Sequence, residues 1–269
     1  MTHRGIRVGS LEVTTLCQGW APLGLADELP GRLVDWVSER RRYPWAFVGD
    51  DAWRWHVHAF AIRGGPETVL IDAGLGSLAP YRSWADSVAP DRMLADAEID
   101  PVTVGHVILT HLHTDHAGGA MLEGEPRFPN AVYHVHQADW THFEGLDDED
   151  EYVARHAMQR VADLGALDLE PSDRELTPGV RVVHTPGHTP GHRSVVVADR
   201  GDTLVLTGDL LHLPAQVLHP EWPSGHDIDQ DLGCHSRQEI LARARKGHWA
   251  VGVSHFAQPF GTVGIDGWS

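Results

Sequence analysis

Thr110-His111-Leu112-His113-Thr114-Asp115-His116-Ala117-Gly118-Gly119 is the stretch on which the reading of this chain turns. It directly follows the apolar run Val107-Ile108-Leu109, so three imidazoles and a carboxylate arrive together at the end of a strand. In a loop leaving a sheet, His111 and His113 point the same way as alternate residues, and Asp115 and His116 turn back beside them. Four such donors crowd a single cation that must keep an open coordination position, so two adjacent metals are the natural solution. A polar loop holding these residues by chance is the competing reading; the spacing is far more specific than a lone His-x-His.

Three further segments supply what this loop lacks. Thr185-Pro186-Gly187-His188-Thr189-Pro190-Gly191-His192 follows an apolar run, and its prolines and glycines impose a fixed turn that holds His188 at a strand terminus as a third donor for the first metal. His192 has equivalent spacing but begins the next strand and is read as structural. Leu206-Thr207-Gly208-Asp209 delivers a carboxylate able to bridge two cations, and Val253-Ser254-His255-Phe256 ends another strand in a histidine that closes the second shell. Each segment alone is weak; together they make two three-residue sets and one bridge, with imidazole and carboxylate donors and no thiolate. That mix suits zinc and accommodates iron, manganese or cobalt. Asp72, after Val69-Leu70-Ile71, reads either as a partner that orients a ligand imidazole or as a turn-forming residue.

Outward from these motifs, short β-branched runs recur at Val57–Ile62, Thr68–Ile71, His106–Thr110, Ala131–His136, Val180–His184, Ser194–Ala198, Thr203–Thr207 and Ala250–Ser254. Helical patterns lie between them at Gly31–Arg41, Glu149–Leu164 and Ser236–Lys246, the last with Ser236 as N-cap and Glu239 completing a capping box. Strands interleaved with helices predict a layered α/β domain, and no linker divides it, so residues 1–269 read as a single domain. Gln18–Trp55, rich in Trp, Pro and Arg, precedes the first confident strand and reads as a lid, a dimer surface or simple packing at the core's edge. The acidic run Asp147–Glu151 reads as a helix start, and Arg40-Arg41-Arg42 as a solvated helix end.

Composition narrows the function. A formal net charge of -17 with only 21 Lys and Arg disfavours a nucleic-acid partner. No stretch approaches the roughly 20 apolar residues of a membrane span, and Met1–Trp20 lacks an apolar leader, so a cytoplasmic protein is expected. Cys17 and Cys234 sit in no CxxC pattern, which fits reduced thiols. Of 20 histidines, the pairs His56/His58 and His134/His136 lie inside strands with no nearby carboxylate and read as structural. His142, His156, His219, His226, His235 and His248 read as surface or packing residues.

His111-x-His113-x-Asp115-His116, with His188, Asp209 and His255 following in that order, resembles the metallo-β-lactamase superfamily. The resemblance spans roughly Asp72 to His255 and implies a four-layer αβ/βα sandwich with metals at one edge. It implies that His111, His113 and His188 bind one metal, that Asp115, His116 and His255 bind the other, and that Asp209 bridges them. Asp209 in place of a cysteine is similar to lactonases, glyoxalase II and organophosphate hydrolases rather than classical β-lactamases. Thr185–His192 and His111–Gly119 resemble the N-acyl homoserine lactonases; Gly208–His212 with Gln216, and His255-Phe256 with Pro259, look like the methyl parathion hydrolase branch. His212 stands where the lactonases have a tyrosine that supports the substrate oxygen.

The implied chemistry is hydrolysis by a hydroxide bridging two divalent cations, whose pKa falls from about 15.7 toward roughly 7 on coordination. Asp115, Asp209 and His212 are the expected catalytic residues, and no side-chain nucleophile is needed. A lactone or other carboxylic ester on an apolar group is the expected substrate, with a phosphotriester as the alternative. A thioester with an anionic tail is disfavoured, because no basic cluster lies near the motifs. The rival from another class is a non-catalytic module that keeps the metals for structure.

Overall fold

Alternating apolar residues make strands whose two faces bury against different partners, and that alternation builds the layers of this protein. The computed structural model describes residues 4–29, 34–76, 88–144 and 158–269. In chain order its strands are β1 (Gly5–Val8), β2 (Leu11–Gly24), β3 (Phe47–Val48), β4 (Ala52–Arg63), β5 (Thr68–Ile71), β6 (Val104–Ile108), β7 (Met121–Leu122), β8 (Glu125–Pro126) and β9 (Val132–His136). They continue as β10 (Leu167–Glu170), β11 (Arg174–Thr177), β12 (Val180–His184), β13 (Arg193–Asp199), β14 (Asp202–Leu206), β15 (Ala250–Gly252), β16 (Phe260–Gly264) and β17 (Gly267–Trp268).

The first sheet runs in the order β1-β2-β4-β5-β6-β9-β10, with β3 paired to β4. It is antiparallel up to β5 and parallel from β5 through β10. The second sheet runs β11 through β17 in sequence order, antiparallel except for the parallel pair β14–β15.

Val69, Ile71 and Ile108 of the first sheet meet Val182, Val195, Val197, Leu204 and Leu206 of the second in a core between the sheets. Their neighbours Leu70 and Val107 point the other way, onto Met93 and Leu94 of the helix Pro90–Asp96, Phe143, Met158 and Val161. On the far side of the second sheet, Val183, Val205 and Val251 pack on Ile240, Leu241 and Ala244 of the helix Gln230–Gly247. The order helix, sheet, sheet, helix is the expected four-layer sandwich. Ile71, Val195 and Leu204 have no accessible surface, and each such side chain contributes about 1.5–3 kcal/mol by leaving water.

Two sequence expectations are corrected. The last long helix begins at Gln230 rather than Ser236: Asp229 is its N-cap and accepts the Leu232 N–H, while Ser236 lies inside the helix and donates its hydroxyl to the Pro186 carbonyl at 2.7 Å. Gln18–Trp55 does not precede the first strand, because Ala21–Gly24 and Ala52–Trp55 pair with each other within β2 and β4. The helix proposed from Gly31 appears as Trp36–Arg42, closed by Arg40, Arg41 and Arg42 as expected. Residues 31–33, Asp147–Glu151, His156 and the first part of Glu149–Leu164 lie outside the described residues; 158–163 are helical.

Candidate metal centre

β6, β12, β14 and β15 all end at the same edge of the sandwich, and each is followed by donor residues. After β6 come His111 and His113, then a short helix, Thr114–Ala117, that carries Asp115 and His116. The turn after β12 carries His188, the turn after β14 carries Asp209, and the segment after β15 carries His255. Gly208 makes the third of these turns at φ 54, where a Cβ would lie 2.7 Å from His192 Nε2, so only glycine lets Asp209 reach its place.

The seven residues converge as two groups that share one member. In the first, donor atoms of His111, His113, His188 and Asp209 all lie within 4.8 Å of one another; in the second, those of Asp115, His116, Asp209 and His255 do. Asp209 Oδ2 sits 3.3 Å from His188 Nε2 and 3.8 Å from His111 Nε2, and His113 Nδ1 is 2.9 Å from each of those nitrogens. Asp209 Oδ1 faces the other way, 3.1 Å from His116 Nε2 and 3.0 Å from His255 Nε2, with Asp115 Oδ2 3.1 Å from His116 Nε2. Donors held about 2.0–2.2 Å from a tetrahedral cation stand about 3.3–3.6 Å apart, so both groups have the dimensions of a metal shell.

Proton positions support the same conclusion. His116 Nδ1–H donates to Asp72 at 2.7 Å, His188 Nδ1–H to Asp227 at 3.3 Å, and His255 Nδ1–H to the His56 carbonyl at 2.6 Å. Those outer bonds leave each Nε2 lone pair aimed at the centre. Asp72 is itself held by the Thr110 N–H (2.7 Å) and hydroxyl (2.9 Å) and takes φ 61, so it both turns the chain and orients His116. Asp115 Oδ2, His116 Nε2 and Asp209 Oδ1 are buried without a hydrogen-bond partner. Burial holds the His113 imidazole down to about 3 and His111 well below its ordinary range, leaving their lone pairs open. Burial opposes a charge on His116 too, yet Asp115, Asp209 and Asp72 around it push it well above its usual value. A proton there occupies the place that a cation suits better. The donor set fits two cations.

The centre floors a pocket of about 240 Å³ whose lining includes Leu23, Glu28, Trp55, His212 and His226. The Trp-rich segment thus supplies part of the wall. Trp55 packs on His255 at 5.1 Å between ring centroids, whereas Trp53 is fully buried in the core, and Trp36 and Trp45 pack against that core. His212 lies in the same wall: Nε2 is 3.2 Å from Asp209 Oδ2, and Nδ1–H donates to Glu28 at 2.8 Å, with the Ser224 hydroxyl 2.7 Å away. Burial disfavours its charge, but Glu28 and Asp209 raise it well above the histidine range. His192 stays out of the shell, as expected: its Nε2 accepts the Asp209 N–H at 3.0 Å and its Nδ1–H donates to the Thr185 carbonyl at 2.9 Å.

Glu28, Ser224 and Asp227 were not singled out from sequence, and His226, read there as a surface or packing residue, lines the pocket. None of the three sits in a local sequence pattern.

The sequence profile of the Metallo-beta-lactamase superfamily matches residues 52–242, and the chain belongs to that superfamily as a metal-dependent hydrolase. Among curated relatives it is similar to an N-acyl homoserine lactonase of a Bacillus species, 26% identical over an alignment of 206 residues that covers 64% of this chain and 77% of the relative. Among solved structures it resembles AidC, a dizinc quorum-quenching lactonase with a product bound, at TM-score 0.84 and 19% identity over 99% of this chain and 96% of that one. It also resembles the hydrolase AbOPH of the beta lactamase superfamily, at TM-score 0.79 and 23% identity over 97% of this chain and 92% of that one.

Proposed function

We propose that this chain is a dinuclear metal-dependent hydrolase that opens a lactone, or cleaves another carboxylic ester, carried on an apolar group. The observation that carries the reading is Asp209, whose two oxygens face separate donor sets at the floor of one pocket. His111, His113 and His188 would hold one divalent cation, Asp115, His116 and His255 the other, and Asp209 both. Imidazole and carboxylate donors favour zinc, with iron, manganese or cobalt as substitutes. When bound, such a pair supplies Lewis-acid polarisation of the substrate oxygen and a water acidic enough to attack near neutral pH.

The remaining work falls to side chains of the wall. Asp115, besides its ligand role, presents a carboxylate on the pocket's surface that can accept a proton from the attacking water. His212 Nε2 faces the pocket with Glu28 and Ser224 fixing its ring, so it can hold a proton for the oxygen that leaves when the ring opens. In this reading His212 would take the role that the resemblance gives to the lactonase tyrosine. Leu23 and Trp55 offer an apolar wall to an acyl chain. Among the described residues the lining holds no lysine or arginine, which favours an uncharged substrate over one with an anionic tail.

The test is a panel of N-acyl homoserine lactones of increasing chain length, simple carboxylic esters and phosphotriesters, assayed with metal-loaded protein. The lactones are expected to give the highest kcat/KM, rising with acyl length. Phosphotriester turnover tenfold above the best lactone would reassign the substrate, and a doubly metallated protein that turns over none of them would make this a non-catalytic module.

A further inference from the structure

A second group of metal-ligating side chains lies on β2 and β4, beside the segment that carries His255. Cys17 stands directly across from His58 in the register of the two strands, and His56 is two residues along β4 on the same face. The alternation that sends Phe60 and Ile62 into the core between the sheets sends His56 and His58 into a pocket of about 220 Å³, which Arg4, Thr15 and Cys17 also line. One donor atom from each of Cys17, His56 and His58 lies within 4.8 Å of the others.

The chemistry of these atoms suits a cation. His58 Nε2–H donates to the Phe256 carbonyl at 2.9 Å, so the lone pair belongs to Nδ1, which is buried without a hydrogen-bond partner. Burial, reinforced by the neighbouring His56 ring, keeps this imidazole neutral down to about 3. Cys17 Sγ is 3.8 Å from His56 Nδ1. Zinc bonds of about 2.3 Å to sulfur and 2.0–2.1 Å to nitrogen, at tetrahedral to trigonal angles, set such a pair about 3.6–3.8 Å apart. A third group, His134, Asp168 and Glu170, has similar spacing, but Arg174 and Arg193 already pair with its carboxylates.

We propose that Cys17, His56 and His58 form a separate, thiolate-containing site for a thiophilic cation of the Zn²⁺ class, the Cys17 thiol proton leaving to solvent as the metal–sulfur bond forms. The His56 carbonyl is the group that accepts the His255 Nδ1–H, so a cation here ties β2 to the residue that orients a ligand of the dinuclear centre.

The chain has two cysteines, so the Cys234→Ala variant leaves Cys17 as its only thiol. This variant is produced with cobalt as the supplied metal. The dinuclear donors include no sulfur, so a thiolate-to-cobalt charge-transfer band reports the new site alone, whatever the fate of the hydrolase reading. The band is expected at about one cobalt per chain, lost in Cys17→Ala and weakened in His56→Ala, both in the same background. In zinc-loaded protein, maleimide is expected to modify Cys17 at least about tenfold more slowly than after chelation. A cobalt-loaded protein without the band, or a Cys17 whose reactivity ignores zinc, overturns the site.

Discussion

The tetrapeptide Thr-Pro-Gly-His occurs twice in succession, at Thr185–His188 and Thr189–His192, and its two histidines reach Asp209 from different sides. His188 Nε2 lies 3.3 Å from the Asp209 carboxylate, whereas His192 Nε2 accepts the Asp209 backbone N–H at 3.0 Å. Both rings donate through Nδ1, one to the Asp227 carboxylate and the other to the Thr185 carbonyl. What separates them is the backbone between. Buried Asp139 takes the Thr189 hydroxyl at 2.9 Å and the Gly191 N–H at 2.5 Å, which holds the second repeat against the helix Gln137–Glu144. Identical local sequence therefore yields one lone pair spent on a backbone amide and one left for a cation; the residue's role lies in its partners, not its motif.

The contrast can be broken or sharpened by substitution. Asp209→Ala removes the group both histidines address; turnover is expected to fall about 10³-fold or more, equivalent to about 4 kcal/mol, with at least one metal lost. Unchanged kinetics and metal content would rule out the bridge. His188→Ala is expected to cost about 10²-fold in turnover and to release the metal of its own set, as read by metal analysis. Asp227→Asn keeps every proposed ligand and should weaken metal affinity about 10–100-fold through the loosened His188 ring, measured by competition with a chelator. His192→Ala should leave metal stoichiometry near two and lower stability in urea by about 1–3 kcal/mol, because the Asp209 N–H is left buried and unpaired. If His192→Ala lost a metal and His188→Ala did not, the two assignments would exchange.

The strand-end donors were legible because each follows a β-branched run and so announces both its element and its position. Thr68–Ile71 and Val180–His184 emerge with the expected bounds. The long strand β2 was not legible, since Gly19 and Pro22 interrupt its pattern. β1 pairs only with Leu11–Thr14, so Pro22 lies where the strand's other edge is open and its missing N–H costs no ladder bond. The true start of the last helix was hidden by Gly233, which reads as a breaker. It is there for clearance: a Cβ on Gly233 would lie 2.8 Å from Oδ2 of Asp227, the carboxylate that takes the His188 Nδ1–H. Glu28 escaped notice because its partner is remote, His212 lying 184 positions away. Pairing across such distances leaves no periodic trace.

Each donor set draws on both sheets: His111 and His113, or Asp115 and His116, come from the loop after β6, while His188, Asp209 and His255 follow strands of the second sheet. An ion seated in either set would therefore clasp the open lip of the sandwich as well as serve chemistry. Opening the layers would then require letting the ion go, so the melting temperature should climb with free metal concentration by mass action. Metal supply would set how long the folded chain survives, not merely how fast it works.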